Sequence, residues 1–164
     1  MFEAEAVRLR QALGALAIRV DHHGSTAVPG LSAKPVIDIQ VSVADLRPLE
    51  AFAVPLEALG YLHVPHPDDA VCPFFHRPSQ WPHTHHVHVV QAGGMEERRT
   101  LAFRDYLRHH DASAREYEEL KRRLMAELQP NDAASREAYA VGKTEFVERI
   151  ITLALASEDD HVRS

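Results

Sequence analysis

The chain has 164 residues, of which 45% are hydrophobic and 26% charged, with a formal net charge of −6. This composition is typical of a soluble globular protein, and the negative charge argues against a non-specific DNA- or RNA-coating function. No apolar run approaches the roughly 20 residues that span a bilayer. The first residues do not resemble a signal peptide, and the single Cys72 excludes an internal disulfide. We therefore expect a cytoplasmic protein that does not bind membranes.

The first half of the chain alternates between helical and strand-like apolar patterns. Residues 3–15 are predicted to form an amphipathic helix, and residues 46–59 form a second one that Gly60 ends. Short apolar or alternating runs between and after these helices predict five strands, over residues 18–23, 35–43, 61–64, 74–77 and 85–91.

After residue 94 the pattern is helical throughout. It predicts helices over residues 96–109, from residue 113 to about 129, and over 133–156. Residues 157–164 are predicted to be a flexible polar tail. We therefore expect one α+β domain over residues 1–156, with a mixed or antiparallel sheet of four or five strands flanked by helices and a helical C-terminal third.

An isolated carboxylate, Asp38, lies in the middle of the second predicted strand, among apolar residues. Such a group is costly to desolvate unless it has a partner, a metal ion or a ligand. The loop before this strand begins with Gly24, Ser25 and Thr26, whose hydroxyl and N–H groups are suited to holding a phosphate. The alternative for these three residues is a tight turn with a helix cap.

The segment from Gly24 to Ile39 matches the pattern GST-x-VPGL-x-x-KP-x-IDI almost position for position. On this pattern the chain resembles the GrpB family of small bacterial proteins. Residues 86–90 and 101–108 agree with the family as well, and Lys143 and Phe146 fall where it tends to place a lysine and an aromatic residue. The resemblance covers residues 2–153. It implies a nucleotidyltransferase-like fold.

The resemblance also directs attention to metal binding, because nucleotidyltransferases usually carry two carboxylates two residues apart on one strand. Here Asp38 is followed by Gln40, which has no charge, and the loss of one carboxylate weakens Mg²⁺ binding. His86 and His88 share one face of a later strand. Together with Asp38 they would form a set of two histidines and one carboxylate that suits Zn²⁺, Mn²⁺, Fe²⁺ or Ni²⁺ better than Mg²⁺.

We therefore predict a divalent metal cofactor (Mg, Mn or Zn) with Asp38, His86 and His88 as its ligands. Two alternatives remain open for the histidines. They hydrogen-bond Asp38 and the ligand directly, without a metal, or they face solvent on an exposed strand.

Three basic side chains are further candidates for binding an anionic substrate. Lys34 lies four residues before Asp38, where it neutralises a phosphate or is a surface lysine held by the proline after it. Arg104 lies in a segment that matches the family, and either a site or a buried ion pair fits its position. Lys143 interrupts the apolar stripe of the last helix, which is unusual unless its amine reaches an anion or extends to solvent.

The leading functional prediction is a nucleotidyltransferase-fold protein that binds a nucleotide or another phosphorylated small molecule and, with a metal ion, transfers a nucleotidyl group. Asp38 would be its catalytic residue, and Gly24, Ser25 and Thr26 would hold phosphate. Gln40 favours a first alternative, a ligand-binding module without catalysis. The second alternative is a hydrolase in which His and Asp residues bind a metal ion and a metal-bound water is the nucleophile.

Overall fold

The computed structural model describes residues 1–31 and 36–163. Three short 3₁₀ turns, Gly14–Leu16, Ser25–Ala27 and Pro67–Ala70, occur between the longer elements. In chain order those elements are α1 (Phe2–Leu13), β1 (Arg19–His23), β2 (Ile37–Val43), α2 (Glu50–Ala58), β3 (Leu62–Val64), β4 (Phe74–Arg77), β5 (His85–Gln91), α3 (Met95–His109), α4 (Asp111–Leu128) and α5 (Ala133–Val162).

The contacts group the chain into two compact units. The first unit comprises Met1–Ala27 and Ala33–Arg98, and the second comprises Val28–Ser32 and Arg99–Ser164. None of the helices in residues 1–31 and 36–163 has the length and apolarity needed to cross a bilayer.

The first unit contains a mixed five-stranded sheet with the strand order β1-β2-β5-β4-β3. Strands β2 and β5 are parallel, and the other three neighbouring pairs are antiparallel. The α+β class, the mixed sheet and the helical C-terminal third predicted from the sequence are confirmed.

The two faces of this sheet differ in polarity because successive side chains along each strand point to opposite sides. One face is apolar, with Ile39, Val87 and Phe75 fully buried, and it forms one core with side chains of α1 and α2 such as Leu9 and Leu56. On the central strands β2 and β5 the opposite face carries mainly polar residues: Asp38, Gln40, Ser42, His86 and His88. Any chemistry of this sheet is therefore concentrated on its polar face.

A buried carboxylate on α1, that of Glu5, is bonded to Tyr61 and to Arg77 of β4. Glu5 is 4% exposed, and its two oxygens accept hydrogen bonds from Tyr61 (2.9 Å), Arg8 (2.8 Å) and Arg77 (3.1 Å). Burial by itself raises the pKa of Glu5, but the bonds from Tyr61 and Arg77 and the charge of Arg77 hold that pKa below its ordinary value. The group is therefore a carboxylate at neutral pH.

The second unit consists of helices α4 and α5, most of α3 and the segment Val28–Ser32. Its core is built by Val28, Leu107, Tyr117, Phe146 and Ile150. Helix α5 continues to Val162, although the sequence predicted a flexible tail from residue 157. Residues 157–162 contain neither glycine nor proline, and the side chains of Ser157 and His161 hydrogen-bond carbonyls four residues earlier, so the helix extends.

Candidate functional site

The register of three neighbouring strands aligns polar side chains on one face of the sheet. His23 of β1 lies opposite Asp38 of β2, and Asp38 lies opposite His86 of β5. Residues paired in this way project to the same side of the sheet. His88, two residues after His86, shares that side. A site shared by Asp38 and His86 needs their strands to be neighbours, and they are.

Three of these side chains approach one another closely enough to share an ion. His23, Asp38 and His88 each offer one potential ligand atom, and these three atoms all lie within 4.8 Å of one another. The rings of His23 and His88 also meet edge to face, with centroids 4.9 Å apart. Two of the predicted ligands, Asp38 and His88, are therefore brought together. The third member of the group, His23, was not among the predicted ligands.

The remaining predicted ligand, His86, is engaged in a chain of hydrogen bonds. Its Nδ1 lies 3.1 Å from Oδ1 of Asp38, and its Nε2 lies 3.1 Å from Nδ1 of His83. Because a carboxylate only accepts, Nδ1 of a neutral His86 donates to Asp38, and its Nε2 accepts from His83. The His83 ring is in turn stacked on His76, with centroids 3.8 Å apart. Both ring nitrogens of His86 are thus used.

Burial and neighbouring charges set the protonation of this group. Burial and, when they are protonated, the neighbouring His23 and His86 lower the pKa of His88 to about 3 against the opposing charge of Asp38, so the His88 imidazole is neutral at pH 7. For Asp38, burial alone raises the pKa, but the hydrogen bond from His86 and the neighbouring imidazoles lower it below its ordinary value. A carboxylate and a neutral imidazole are the forms in which these side chains bind metal ions.

The thiol of Cys72 contacts the ring of His88. Its Sγ lies 3.9 Å from Nδ1 of His88, a contact that leaves Nε2 as the nitrogen that an ion can use. Burial raises the pKa of the Cys72 thiol to about 12, and the nearby carboxylates of Glu96, Asp68 and Asp69 add to this effect. Cys72 is therefore a neutral thiol at pH 7 and not a nucleophile.

The turn predicted to bind phosphate passes directly over Asp38. Gly24 has a φ of 71°, and a Cβ at that position would lie 2.6 Å from Oδ2 and 3.0 Å from Cβ of Asp38. Only glycine permits both this backbone angle and this approach. The 3₁₀ turn Ser25–Ala27 follows, and Oγ1 of Thr26 lies 2.8 Å from Nε2 of His22. Residues 24–26 thus lie beside the carboxylate, as a shared site requires.

Gln40 lies two residues after Asp38 on β2, at the position where the resemblance led us to look for a second carboxylate. Its side chain is fully buried, and neither atom of its amide makes a hydrogen bond within residues 1–31 and 36–163. Gln40 lies opposite His88 in the register and projects to the same face as Asp38. A buried amide of this kind is suited to bind a polar ligand or a water, but it adds no negative charge.

Of the three predicted basic residues, two belong to the second unit. Lys34 falls outside the described residues. Arg104 and Lys143 belong to the second unit, where Nε of Arg104 donates to Oδ1 of Asp105 at 2.8 Å and Nζ of Lys143 lies 4.4 Å from the ring centroid of Tyr139. Their assignment to a substrate site stays a prediction.

His23 is the residue that sequence reasoning missed. It directly precedes Gly24, and in an antiparallel pair closed by the following loop it lies on the strand next to Asp38. The available signal was the position of His23 at the end of the predicted strand that comes just before the strand of Asp38. If the two strands pair antiparallel, His23 can lie beside Asp38.

Comparison with known proteins supports the resemblance described above. A family model described as GrpB protein matches residues 1–152. A UPF0157 protein of Pseudomonas aeruginosa is 42% identical over 159 residues, which cover 95% of this chain and 63% of that protein. The glutamate-rich protein GrpB of Alkalihalophilus pseudofirmus is 35% identical, over 92% of this chain and 87% of that protein.

A solved structure shares the fold. The crystal structure of the conserved protein GrpB from Enterococcus faecalis superposes with a TM-score of 0.82 and 34% identity, and the match covers 96% of this chain and 92% of that one. The chain spans less than two thirds of the length of the Pseudomonas relative. On the family model, these relatives and the shared fold, the chain belongs to the GrpB family.

Proposed function

We propose that the protein has a nucleotidyltransferase-like fold and binds a nucleotide or another phosphorylated small molecule at the polar face of its sheet, together with a divalent metal ion. The observation that carries the proposal is the close approach of Gly24 to Asp38. A Cβ added at Gly24 would lie 2.6 Å from Oδ2 of Asp38. A carboxylate directly against the residue that begins the Ser25 and Thr26 turn supports binding of a phosphate through a metal ion at this point.

Charge explains why a cation belongs in this proposal. A phosphate next to the ionised Asp38 is repelled, and in a partly buried place the repulsion is only weakly screened. A bound divalent ion supplies the charge that lets a phosphate oxygen and the carboxylate lie side by side. The residues of the chain then position the ligand: the turn holds the phosphate, and Asp38 faces the reacting end.

The absence of charge at Gln40 favours a second candidate, binding without catalysis. Nucleotidyl transfer usually relies on two carboxylates on this strand, and Gln40 is a buried, neutral amide instead. The group of His23, Asp38 and His88 favours a third candidate, a metal-dependent hydrolase, because two histidines and one carboxylate are a common ligand set for catalytic ions. All three candidates include Asp38, and they differ in whether a product is released and which one it is.

Calorimetric titration of untagged protein with ATP, GTP and CTP, each with Mg²⁺ or Mn²⁺, tests the binding itself. We expect saturable heat with at least one nucleotide. Asp38→Asn should weaken this binding about 10- to 100-fold, the usual worth of one interaction with a charged group. Asp45→Asn, which changes an exposed aspartate outside the site, should leave it unchanged. No heat with any nucleotide from folded protein would contradict the proposal.

Product analysis separates the three candidates. Pyrophosphate release that is lost in Asp38→Asn supports nucleotidyl transfer, and release of inorganic phosphate supports the hydrolase. Binding with no turnover, in the wild type and in Asp38→Asn alike, supports the module without catalysis.

A further inference from the structure

We propose that His23, Asp38 and His88 form a binding site for one transition-metal ion of the zinc class, and that His86 acts as the outer hydrogen-bonding partner that orients Asp38. This ion would be the divalent metal of the proposed functional site. The proposal rests on the proposed function only for that role, since the ligand set follows from the distances and contacts of the three side chains.

The distances between the three ligand atoms suit a small ion if the side chains move slightly toward one another. If three atoms all lie within 4.8 Å of one another, some point lies within about 2.8 Å of each, whereas bonds to Zn²⁺ from nitrogen and carboxylate oxygen are about 2.0–2.2 Å. The difference is under 1 Å and is within the reach of side-chain rotation. The backbone does not need to move, because the three residues lie on neighbouring strands of one sheet.

The surroundings hold two of the three ligands in a binding orientation. Nδ1 of His88 faces Sγ of Cys72 at 3.9 Å, so Nε2 is directed to the other side of the ring. Oδ1 of Asp38 is held by Nδ1 of His86 at 3.1 Å, and Oδ2 is the second oxygen available to an ion. Ligands that are fixed in this way by a second layer of contacts lose little entropy when an ion binds.

His86 is excluded from the ligand set by its own hydrogen bonds. Its Nδ1 is used by Asp38 and its Nε2 by His83, so coordination through His86 would break one of the two bonds. A carboxylate ligand that accepts a hydrogen bond from a neighbouring group is a common second layer in metal sites. The histidine that sequence reasoning chose as a ligand is therefore a positioning residue, and His23 takes its place.

The type of ligand selects the type of ion. Two imidazoles and one carboxylate favour Zn²⁺ and its transition-metal neighbours, whereas Mg²⁺ prefers an octahedral shell of oxygens. Three protein ligands leave at least one position of a four-coordinate ion for a water or a ligand oxygen. The Asp38 side chain keeps 26% of its exposure, so this position can be reached from solvent.

Zinc titration of the full-length, untagged, metal-free protein tests the inference without any nucleotide. We expect about one equivalent of Zn²⁺ to bind, with Mg²⁺ unable to displace it. His23→Ala, His88→Ala and Asp38→Asn should each weaken binding at least about 100-fold. His86→Ala should weaken it about 10- to 100-fold, the usual effect of losing an outer partner. Replacement of Zn²⁺ by Co²⁺ should give the visible absorption of a site with nitrogen ligands.

His66→Ala provides the matched control, because His66 is an exposed histidine next to two aspartates and could bind ions adventitiously. Zinc binding should not change in this variant. Circular dichroism of each metal-free variant separates loss of the site from loss of the fold, and His88→Gln is the substitute if His88→Ala does not fold.

Two results would overturn the inference. One is retention of full zinc affinity by both His23→Ala and His88→Ala. The other is loss of binding in His86→Ala with little effect in His23→Ala, which would restore the ligand set predicted from the sequence. Zinc binding without nucleotide binding would refute only the proposed function, and nucleotide binding by folded protein that binds no zinc would refute only this inference.

Discussion

Gly24→Ala is expected to lower the free energy of unfolding of the protein by about 2 to 5 kcal/mol. A φ of 71° costs a residue with a Cβ about 1–2 kcal/mol, and overpacking adds about 1–3 kcal/mol. The overpacking arises because the new Cβ would lie 2.6 Å from Oδ2 and 3.0 Å from Cβ and Cγ of Asp38. Since Asp38 must move to make room, zinc affinity should fall as well. Urea unfolding and zinc titration measure the two effects.

Gly93→Ala is the matched control for the backbone contribution. Gly93 has a φ of 73°, and a Cβ there would meet no atom of the described residues within 4 Å. It should therefore show the conformational cost alone. In a background of Asp38→Gly, which removes all three contacted atoms, the cost of Gly24→Ala should fall to that of Gly93→Ala. If the two glycine variants are equally destabilised in the wild-type background, the close approach of the turn to Asp38 is wrong.

Arg77→Met is expected to destabilise the protein by about 3 kcal/mol at pH 7, the lower end of the range for breaking a buried ion pair from one side. The Arg77 guanidinium contacts both oxygens of Glu5, which is 4% exposed. Without Arg77 the buried carboxylate keeps Arg8 and Tyr61 as its hydrogen-bond partners among the described residues. Because Arg8 is half-exposed, Arg8→Met should cost under about 1 kcal/mol. A double variant, Glu5→Met with Arg77→Met, should recover most of the loss.

The cost of Arg77→Met should depend on pH in a defined direction. The pKa of Glu5 in the folded protein lies below its ordinary value of 4.5, so its ionised form stabilises the fold at pH values above 4.5. That contribution is lost as the pH falls through the lowered pKa. The difference in unfolding free energy between the wild type and Arg77→Met should therefore be largest near pH 7 and shrink below pH 4.5. A difference that stays constant from pH 7 to pH 3 would contradict this assignment.

The elements of this fold could be predicted from the sequence, because each depends on local periodicity. Strands β4 and β5 begin and end at the predicted residues, since both are short apolar or alternating runs flanked by turn-forming residues. The end of α5 was predicted six residues too early, at residue 156. Polar composition was taken there as a sign of a tail, but helix formation needs only the absence of residues that break it.

The site could be predicted only in part, because it depends on strand register. The alternation of β5 correctly placed His86 and His88 on one face. Which of them lies against Asp38, and how, depends on the parallel pairing of β2 with β5, which no local pattern specifies. That register puts His86 directly opposite Asp38, where the two side chains hydrogen-bond. The antiparallel register of β1, set by a loop of 13 residues between the strands, brings in His23.

The parallel pair at the centre of the sheet has a consequence for how the protein folds. The three antiparallel pairs, β1–β2, β3–β4 and β4–β5, each join strands that are consecutive in the sequence. In the parallel pair β2–β5, by contrast, Asp38 and His86 are 48 positions apart. Contacts at such separation form late, because a long loop must close before they contribute any stability. The site combines His23 and Asp38 from one local segment with His88 from the other. It therefore exists only after the two segments have joined, and ion uptake during refolding would report completion of the sheet.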